Sequence, residues 1–139
     1  IFSFWIHSHH AKKPLRYIGC AGTGHQVRDC THPSDVATLI INQLAAGDAP
    51  TKPVLCNLSG GLASSMSLKQ LTTWCDDRFG LHPVESSTEV RPFDLPWIVL
   101  DASLAAKAWG WSPCRTTESI LDEIADFAVE NPSWLEVAS

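Results

Sequence analysis

Along the 139-residue chain the spacing of apolar positions switches repeatedly between a helical and an extended period. Phe2, Phe4, Trp5 and Ile6, followed by Lys12, Lys13 and Pro14, read as the end of a helix, with cations near its last turn and a proline beyond. "LRYIG" at 15–19 predicts a short strand stopped by Gly19, Gly22 and Gly24, and "QVRDCT" at 26–31 a second strand ending near His32–Pro33. Ser34 or Asp35 is placed to cap a helix that carries Val36, Leu39, Ile40 and Leu44 on one face and is released by Gly47. "GDAPTKP" at 47–53 reads as a surface loop. "VLCNL" at 54–58 then reads as a strand buried on both sides, ending in Ser59, Gly60 and Gly61.

The next helix carries the clearest local signature. Ser67 and Gln70 spell a capping box, Met66 and Leu71 stand at the staple positions around it, and Leu68, Leu71 and Cys75 form the inward face up to Gly80. "HPVESSTEVRPFDLP" at 82–96 is polar and proline-punctuated, hence extended or looped. "WIVLD" at 97–101 reads as a strand whose Asp101 caps a helix over 102–109. Gly110 supplies its left-handed end, with Trp111 as the apolar contact. "TTESILDEIADFAVE" at 116–130 reads as an amphipathic helix with Ile120, Ile124, Phe127 and Ala128 inward and Asp122, Glu123, Asp126 and Glu130 on a solvated face, ended by Pro132. Helices alternating with short strands predict an α/β fold, with no repeat and no linker dividing residues 1–139.

Composition narrows the function. No apolar run approaches the roughly 20 residues that span a bilayer. A net charge of −5 with ten scattered Lys and Arg argues against a nucleic-acid partner. Five dispersed cysteines without a C-x-x-C pair suit reduced packing thiols of a cytoplasmic protein. The chain opens on Ile1 in the middle of an apolar pattern and is expected to be a piece of a longer protein. "HSHH" places His7 and His10 one turn apart, but a metal site needs a third ligand, so a solvated helix end is expected there and no metal. Five of the six tryptophans crowd the second half (Trp74, Trp97, Trp109, Trp111, Trp134) and read as packing residues.

The glycine turn at 19–24 invites a dinucleotide reading, which requires the glycines to open directly into a helix. Here "HQVRDCT" follows and prefers a strand, so the turn joins strand to strand and does not cradle a cofactor. Arg28, just beyond it, offers a planar fork of donors suited to phosphate oxygens, against the plainer reading of a surface pair with Asp29. "RPFD" places a second arginine, Arg91, in a loop with Asp94. Two such forks could hold a diphosphate.

Taken in order, "GTGHQVRDCTHPSDVATLI", "NLSGGLASSMSLKQLTTW" and "RPFDLPWIVLDASLAAKAWGWSP" resemble the carboxyl-terminal half of the extended short-chain dehydrogenase/reductase family, the NAD-dependent nucleotide-sugar epimerases and dehydratases. The similarity covers nearly the entire chain and leans toward the CDP-paratose 2-epimerase branch. It implies the substrate-binding carboxyl-terminal part of a Rossmann-type fold, incomplete without an amino-terminal half that binds NAD and supplies a Tyr-x-x-x-Lys pair. It also implies a CDP-, UDP- or dTDP-sugar as partner and a homodimer in the full-length protein. Arg28 and Arg91 would then grip the diphosphate, Asp94 would help position the nucleoside end, and Gln26 would share the pocket. His32 and Asp35 match the family pattern but are read structurally, Asp35 as a cap and His32 as a turn residue. Asn57 and Gly60 fall in its strand-end turn, where the glycine serves tight backbone geometry. Tyr17 is followed four residues later by Ala21, so neither the catalytic pair nor the cofactor fingerprint is present. Phe93 and Ser59 depart from the common family spelling and bear on which substrate fits. The competing expectation is a non-catalytic relative that binds a nucleotide or a protein.

Overall fold

Ser67 ends an extended segment and begins a helix in a single step, because its side chain and that of Gln70 satisfy each other's orphan backbone donors. The Gln70 N–H donates to Ser67 Oγ at 3.2 Å and the Ser67 N–H donates to Gln70 Oε1 at 2.8 Å. A computed structural model describes residues 1–47, 51–53, 55–90, 92 and 94–137. Its elements run α1 (Phe2–His10), β1 (Leu15–Tyr17), β2 (Val27–Asp29), α2 (Pro33–Ala46), β3 (Ser65–Ser67), α3 (Leu68–Phe79), β4 (Val84–Ser86), β5 (Trp97–Ile98), α4 (Ser103–Trp109), α5 (Thr117–Glu130) and α6 (Trp134–Val137). The alternation expected for an α/β fold is present. The residues gather into two compact units, one of 1–28, 66–98 and 121–139 and the other of 29–65 and 99–120.

In the first unit β1 and β4 pair in parallel, Leu15 opposite Val84, and β2 pairs in parallel with β5, Val27 opposite Trp97 and Arg28 opposite Ile98. β2 lies between β3 and β5. α1 and α3 enclose a core of Trp5, Ile6, Leu15, Leu68, Leu71 and Cys75, completed by Leu121, Ala125 and Ala128 of α5. Met66 packs against the same core, as its staple position predicts. Gly80 ends α3. Ile120 and Ala128 are buried and Ile124 is partly so, as expected, and Leu121 and Ala125 join them, while Phe127, expected inward, is half-exposed.

Thr72 is the polar hub of this core. Its hydroxyl accepts from Trp5 Nε1 at 3.0 Å and from the Tyr17 hydroxyl at 2.8 Å, and donates to the Leu68 carbonyl at 2.9 Å. The two aromatic rings stack at 5.6 Å. Thr72→Val keeps the shape but strands both donors, so chemical denaturation is expected to show a loss of about 1–3 kcal/mol.

The expectation of a solvated "HSHH" helix end is overturned: His7 and His9 are buried, because α1 is covered by α3 on one side and α6 on another. His7 Nδ1 donates to the Ser3 carbonyl at 2.8 Å, and His9 Nε2 donates to Asp76 Oδ1 at 2.8 Å. Burial pushes the His9 pKa below its ordinary 6.5, and the pull of Asp76 does not fully offset it. Because the unfolded chain takes up this proton more readily than the folded one, the contribution of His9 is present above pH ~6.5 and lost as pH falls through the lowered value. Urea midpoints measured from neutral to mildly acidic pH should therefore fall, and His9→Gln should flatten that slope. An unchanged slope would reject the assignment.

In the second unit α2 and α4 share a smaller core of Leu39, Ala105 and Trp111. The expected cap of α2 is corrected: His32 is the N-cap, its Nδ1 accepting the Ser34 N–H at 3.1 Å, because Pro33 occupies the first helical position and moves the cap back. Asp35 sits buried in the first turn, where its Oδ2 accepts the Arg115 N–H at 3.2 Å and its carbonyl accepts Trp111 Nε1 at 2.7 Å. Ile40 and Leu44, expected inward, are exposed. Gly110 closes α4 in the left-handed conformation at φ 60°, as predicted, whereas Ala102 and not Asp101 holds the N-cap position; Asp101, one residue earlier, accepts the Ser103 N–H at 2.8 Å. Two hydrogen bonds from Ser103 hold the Asp101 carboxyl below its usual range. The strand expected over "VLCNL" is not formed among its described residues, 55–58. Leu55 and Asn57 are exposed while Cys56 and Leu58 pack toward Trp111 and Leu39, so one face is covered and no neighbouring strand completes a ladder. "WIVLD" is likewise shorter than expected, with only Trp97 and Ile98 paired. All five cysteines are free.

Candidate functional site

The chain leaves β1 at Tyr17 and enters β2 at Val27 through a 3₁₀ turn at Cys20–Gly22. The glycines thus join strand to strand, as expected. The turn runs through the left-handed region, with φ of 79° at Gly19, 69° at Gly22 and 71° at Gly24, and Cys20 and Ala21 are drawn into it at 45° and 54°. A side chain at Gly24 would lie 2.7 Å from the Tyr17 ring. The glycines are needed both for conformation and for room.

An acid already occupies the turn. Asp94 Oδ2 accepts the Cys20 N–H at 2.7 Å, and a Cβ built at Gly19 would lie 2.1 Å from that oxygen. The N–H a cofactor phosphate would use is engaged, and no α-helix follows. These residues therefore do not fit a dinucleotide pyrophosphate. Burial and the neighbouring Asp94 carboxylate raise the pKa of the Cys20 thiol, against a smaller opposing pull from Arg28.

Gln26 and Arg28 point to the same side of this unit. Both line a small cavity of about 20 Å³, room for about one water, with Met66, Ser67 and Leu68. Gln26 also borders a second cavity of about 330 Å³ between Phe4, Trp5, Arg16, Ile18 and Leu68. Gln26 Nε2 donates to the Ile18 carbonyl at 3.2 Å, while its buried Oε1 has no partner among the described residues. The Arg28 guanidinium donates one N–H to the Val27 carbonyl at 2.7 Å, which orients the fork. The alternative of a pair with Asp29 is not what the structure shows. Asp29 instead accepts a hydrogen bond from Ser59, and Gly60 beside it fits where a Cβ would meet the Cys30 carbonyl at 2.1 Å.

The structure therefore brings Gln26 and Arg28 to one pocket and ties Asp94 to the turn ahead of them; Arg91 and Phe93 lie outside the described residues. Arg16 was not singled out from the sequence. It borders the larger cavity with a mostly exposed side chain and a 3.7 Å approach to Glu85, and in a strand reading Leu15-in, Arg16-out it looks like an ordinary surface cation. Among the described residues no three His, Cys, Asp or Glu side chains gather to hold a metal, and no helix is long and apolar enough to cross a membrane.

No family model and no curated protein matches the sequence. Solved structures do. The Bordetella bronchiseptica enzyme WbmF, solved with NADH, is 20% identical with a TM-score of 0.71, the match covering 98% of this chain and 38% of that one. The Bacillus cereus UDP-glucuronic acid 4-epimerase, solved with UDP-glucuronic acid and NAD, is 20% identical with a TM-score of 0.73, covering 93% and 39%. The Thermotoga maritima UDP-glucose 4-epimerase, solved with UDP-glucose, is 19% identical with a TM-score of 0.68, covering 92% and 38%. The chain has an α/β fold of short strands and helices that matches part of the fold of nucleotide-sugar epimerases. It spans about two-fifths of the length of these structures.

Proposed function

We propose that this chain is the carboxyl-terminal, substrate-binding part of an NAD-dependent nucleotide-sugar epimerase or dehydratase, and that it binds the nucleoside diphosphate. The observation that carries this reading is the convergence of Gln26 and Arg28 on one pocket beside a large cavity. It occurs on a scaffold shared with proteins solved with UDP-sugars. The Arg28 fork meets one pair of phosphate oxygens, and Arg91, from the "RPFD" segment, meets the other. Gln26 Oε1 takes a donor of the ligand, while Asp94, which the resemblance puts near the nucleoside end, is held on the Cys20 N–H. NAD is held by the amino-terminal half of the intact protein, a cytoplasmic homodimer. Within the family, the "HQVRD", "SMSLKQL" and "RPFD" segments favour a CDP-paratose 2-epimerase-like enzyme.

The residues here bind and orient; they do not move the proton or hydride. Fixing the diphosphate fixes the sugar ring, and correct placement of a reacting carbon is worth several orders of magnitude in rate. Calorimetric titration of the intact protein with CDP-, UDP- and dTDP-sugars tests the reading. Binding of one class with micromolar affinity is expected, a CDP-sugar first, and failure of all three to bind would reject it in favour of a non-catalytic module.

A further inference from the structure

The Gly19–Gly24 turn holds itself with its own carbonyls, the Gly22 N–H donating to Gly19 at 2.8 Å and the Thr23 N–H to Cys20 at 3.2 Å, while the Cys20 N–H is taken by a carboxylate from far along the chain. Asp94 reaches it across 74 positions of sequence, its Oδ2 accepting the Cys20 N–H at 2.7 Å and lying where any side chain at Gly19 would collide. The two segments run on together: the Val27 N–H donates to the Pro96 carbonyl at 2.9 Å, and β2 and β5 then pair through Val27–Trp97 and Arg28–Ile98. The Asp94 contact is thus the first clasp of a seam that ends at Arg28. Cys20 and Ala21, neither of them glycine, hold positive φ in this turn, a conformation that persists only where its surroundings enforce it.

We propose that Asp94 is a positioning residue: its carboxylate clasps the Gly19–Gly24 turn through the Cys20 N–H, fixes the register of β2 and so aims Gln26 and Arg28 at the ligand. This deepens the diphosphate reading of Arg28 and rests on it. It gives Asp94 a different task from a direct nucleoside contact. The carboxylate holds the turn, and Arg28 is left as the group that meets the phosphate.

The test compares the intact wild-type protein with Asp94→Ala, Asp94→Asn and Arg28→Ala, reading amide hydrogen exchange at Cys20 and affinity for inorganic pyrophosphate. Asp94→Ala should speed Cys20 exchange and weaken pyrophosphate binding, each by about tenfold, the scale of one lost charge-assisted hydrogen bond. Asp94→Asn, which retains an acceptor oxygen, should recover most of both. Unchanged Cys20 exchange in Asp94→Ala would overturn the proposal. So would an unchanged pyrophosphate affinity with loss only toward nucleosides, which would return Asp94 to a direct nucleoside contact. Gly19→Ala, which pushes the carboxylate away without removing it, should reproduce the Asp94→Ala pattern. If Arg28→Ala leaves pyrophosphate binding intact, the diphosphate reading falls by itself, and Cys20 exchange still reports whether Asp94 holds the turn.

Discussion

Arg28→Ala in the intact protein is expected to weaken nucleotide-sugar binding by about 1–3 kcal/mol, roughly five- to 150-fold, with little change in folding stability. The separation of the two effects follows from the geometry. Arg28 makes one hydrogen bond to its neighbouring carbonyl, from Nη1 to Val27 at 2.7 Å, and is only partly buried. It lines the pocket that Gln26 shares. Lysine at this position should recover little, since a point charge does not match two phosphate oxygens at once. Arg91→Ala is expected to lose a similar amount. The double variant should lose less than the sum if both forks hold one ligand. Calorimetric titration measures all three, and unchanged affinity in both single variants would remove the clamp.

Leu71→Ala should be the most damaging single truncation, with an expected loss of about 2–5 kcal/mol by urea denaturation. Leu71 is 1% exposed and stands where α3 meets the core formed with α1 and α5. It also touches the cavity that Gln26 and Arg28 line. Its truncation should therefore also lower ligand affinity, a loss that persists when affinity is measured under conditions where the protein is fully folded. A loss below about 1 kcal/mol would mean that the core relaxes around the deletion and is less tightly packed than its burial indicates.

What the sequence made legible is what short-range chemistry decides. The Ser67–Gln70 box, the helix stop at Gly80, the left-handed end at Gly110 and the strand-to-strand character of the glycine turn each depend on residues within a few positions of one another. The strand over 54–58 failed for the opposite reason. "VLCNL" has the apolar content of a buried strand, but a ladder needs a partner, and the described residues present none beside it. His7 and His9 looked solvated because their polarity was weighed and their packing was not; an imidazole with a carbonyl or carboxylate partner is readily buried. Arg28 is legible as a guanidinium fork just beyond the glycine turn, whereas Gln26 is reached only through the family resemblance. The clasp between Asp94 and Cys20 could not be read at all, since nothing local to either residue names the other.

Exposed apolar residues bear on how this chain behaves in solution. Ile40, Ile41, Leu44 and Leu55 are all largely exposed, more than scattered surface hydrophobics require. Such surface fits a chain that spans two-fifths of its structural relatives, and binding of a hydrophobic dye should exceed that of an ordinary globular domain of this size.

A crystal structure of the intact protein with a bound nucleotide-sugar bears most directly on whether this chain grips the diphosphate. The expected result is a phosphate oxygen within about 3 Å of the Arg28 guanidinium, with Gln26 Oε1 facing the ligand and the Asp94 carboxylate still on the Cys20 N–H. A diphosphate seated away from Arg28, or lodged in the glycine turn with Asp94 displaced, would contradict it.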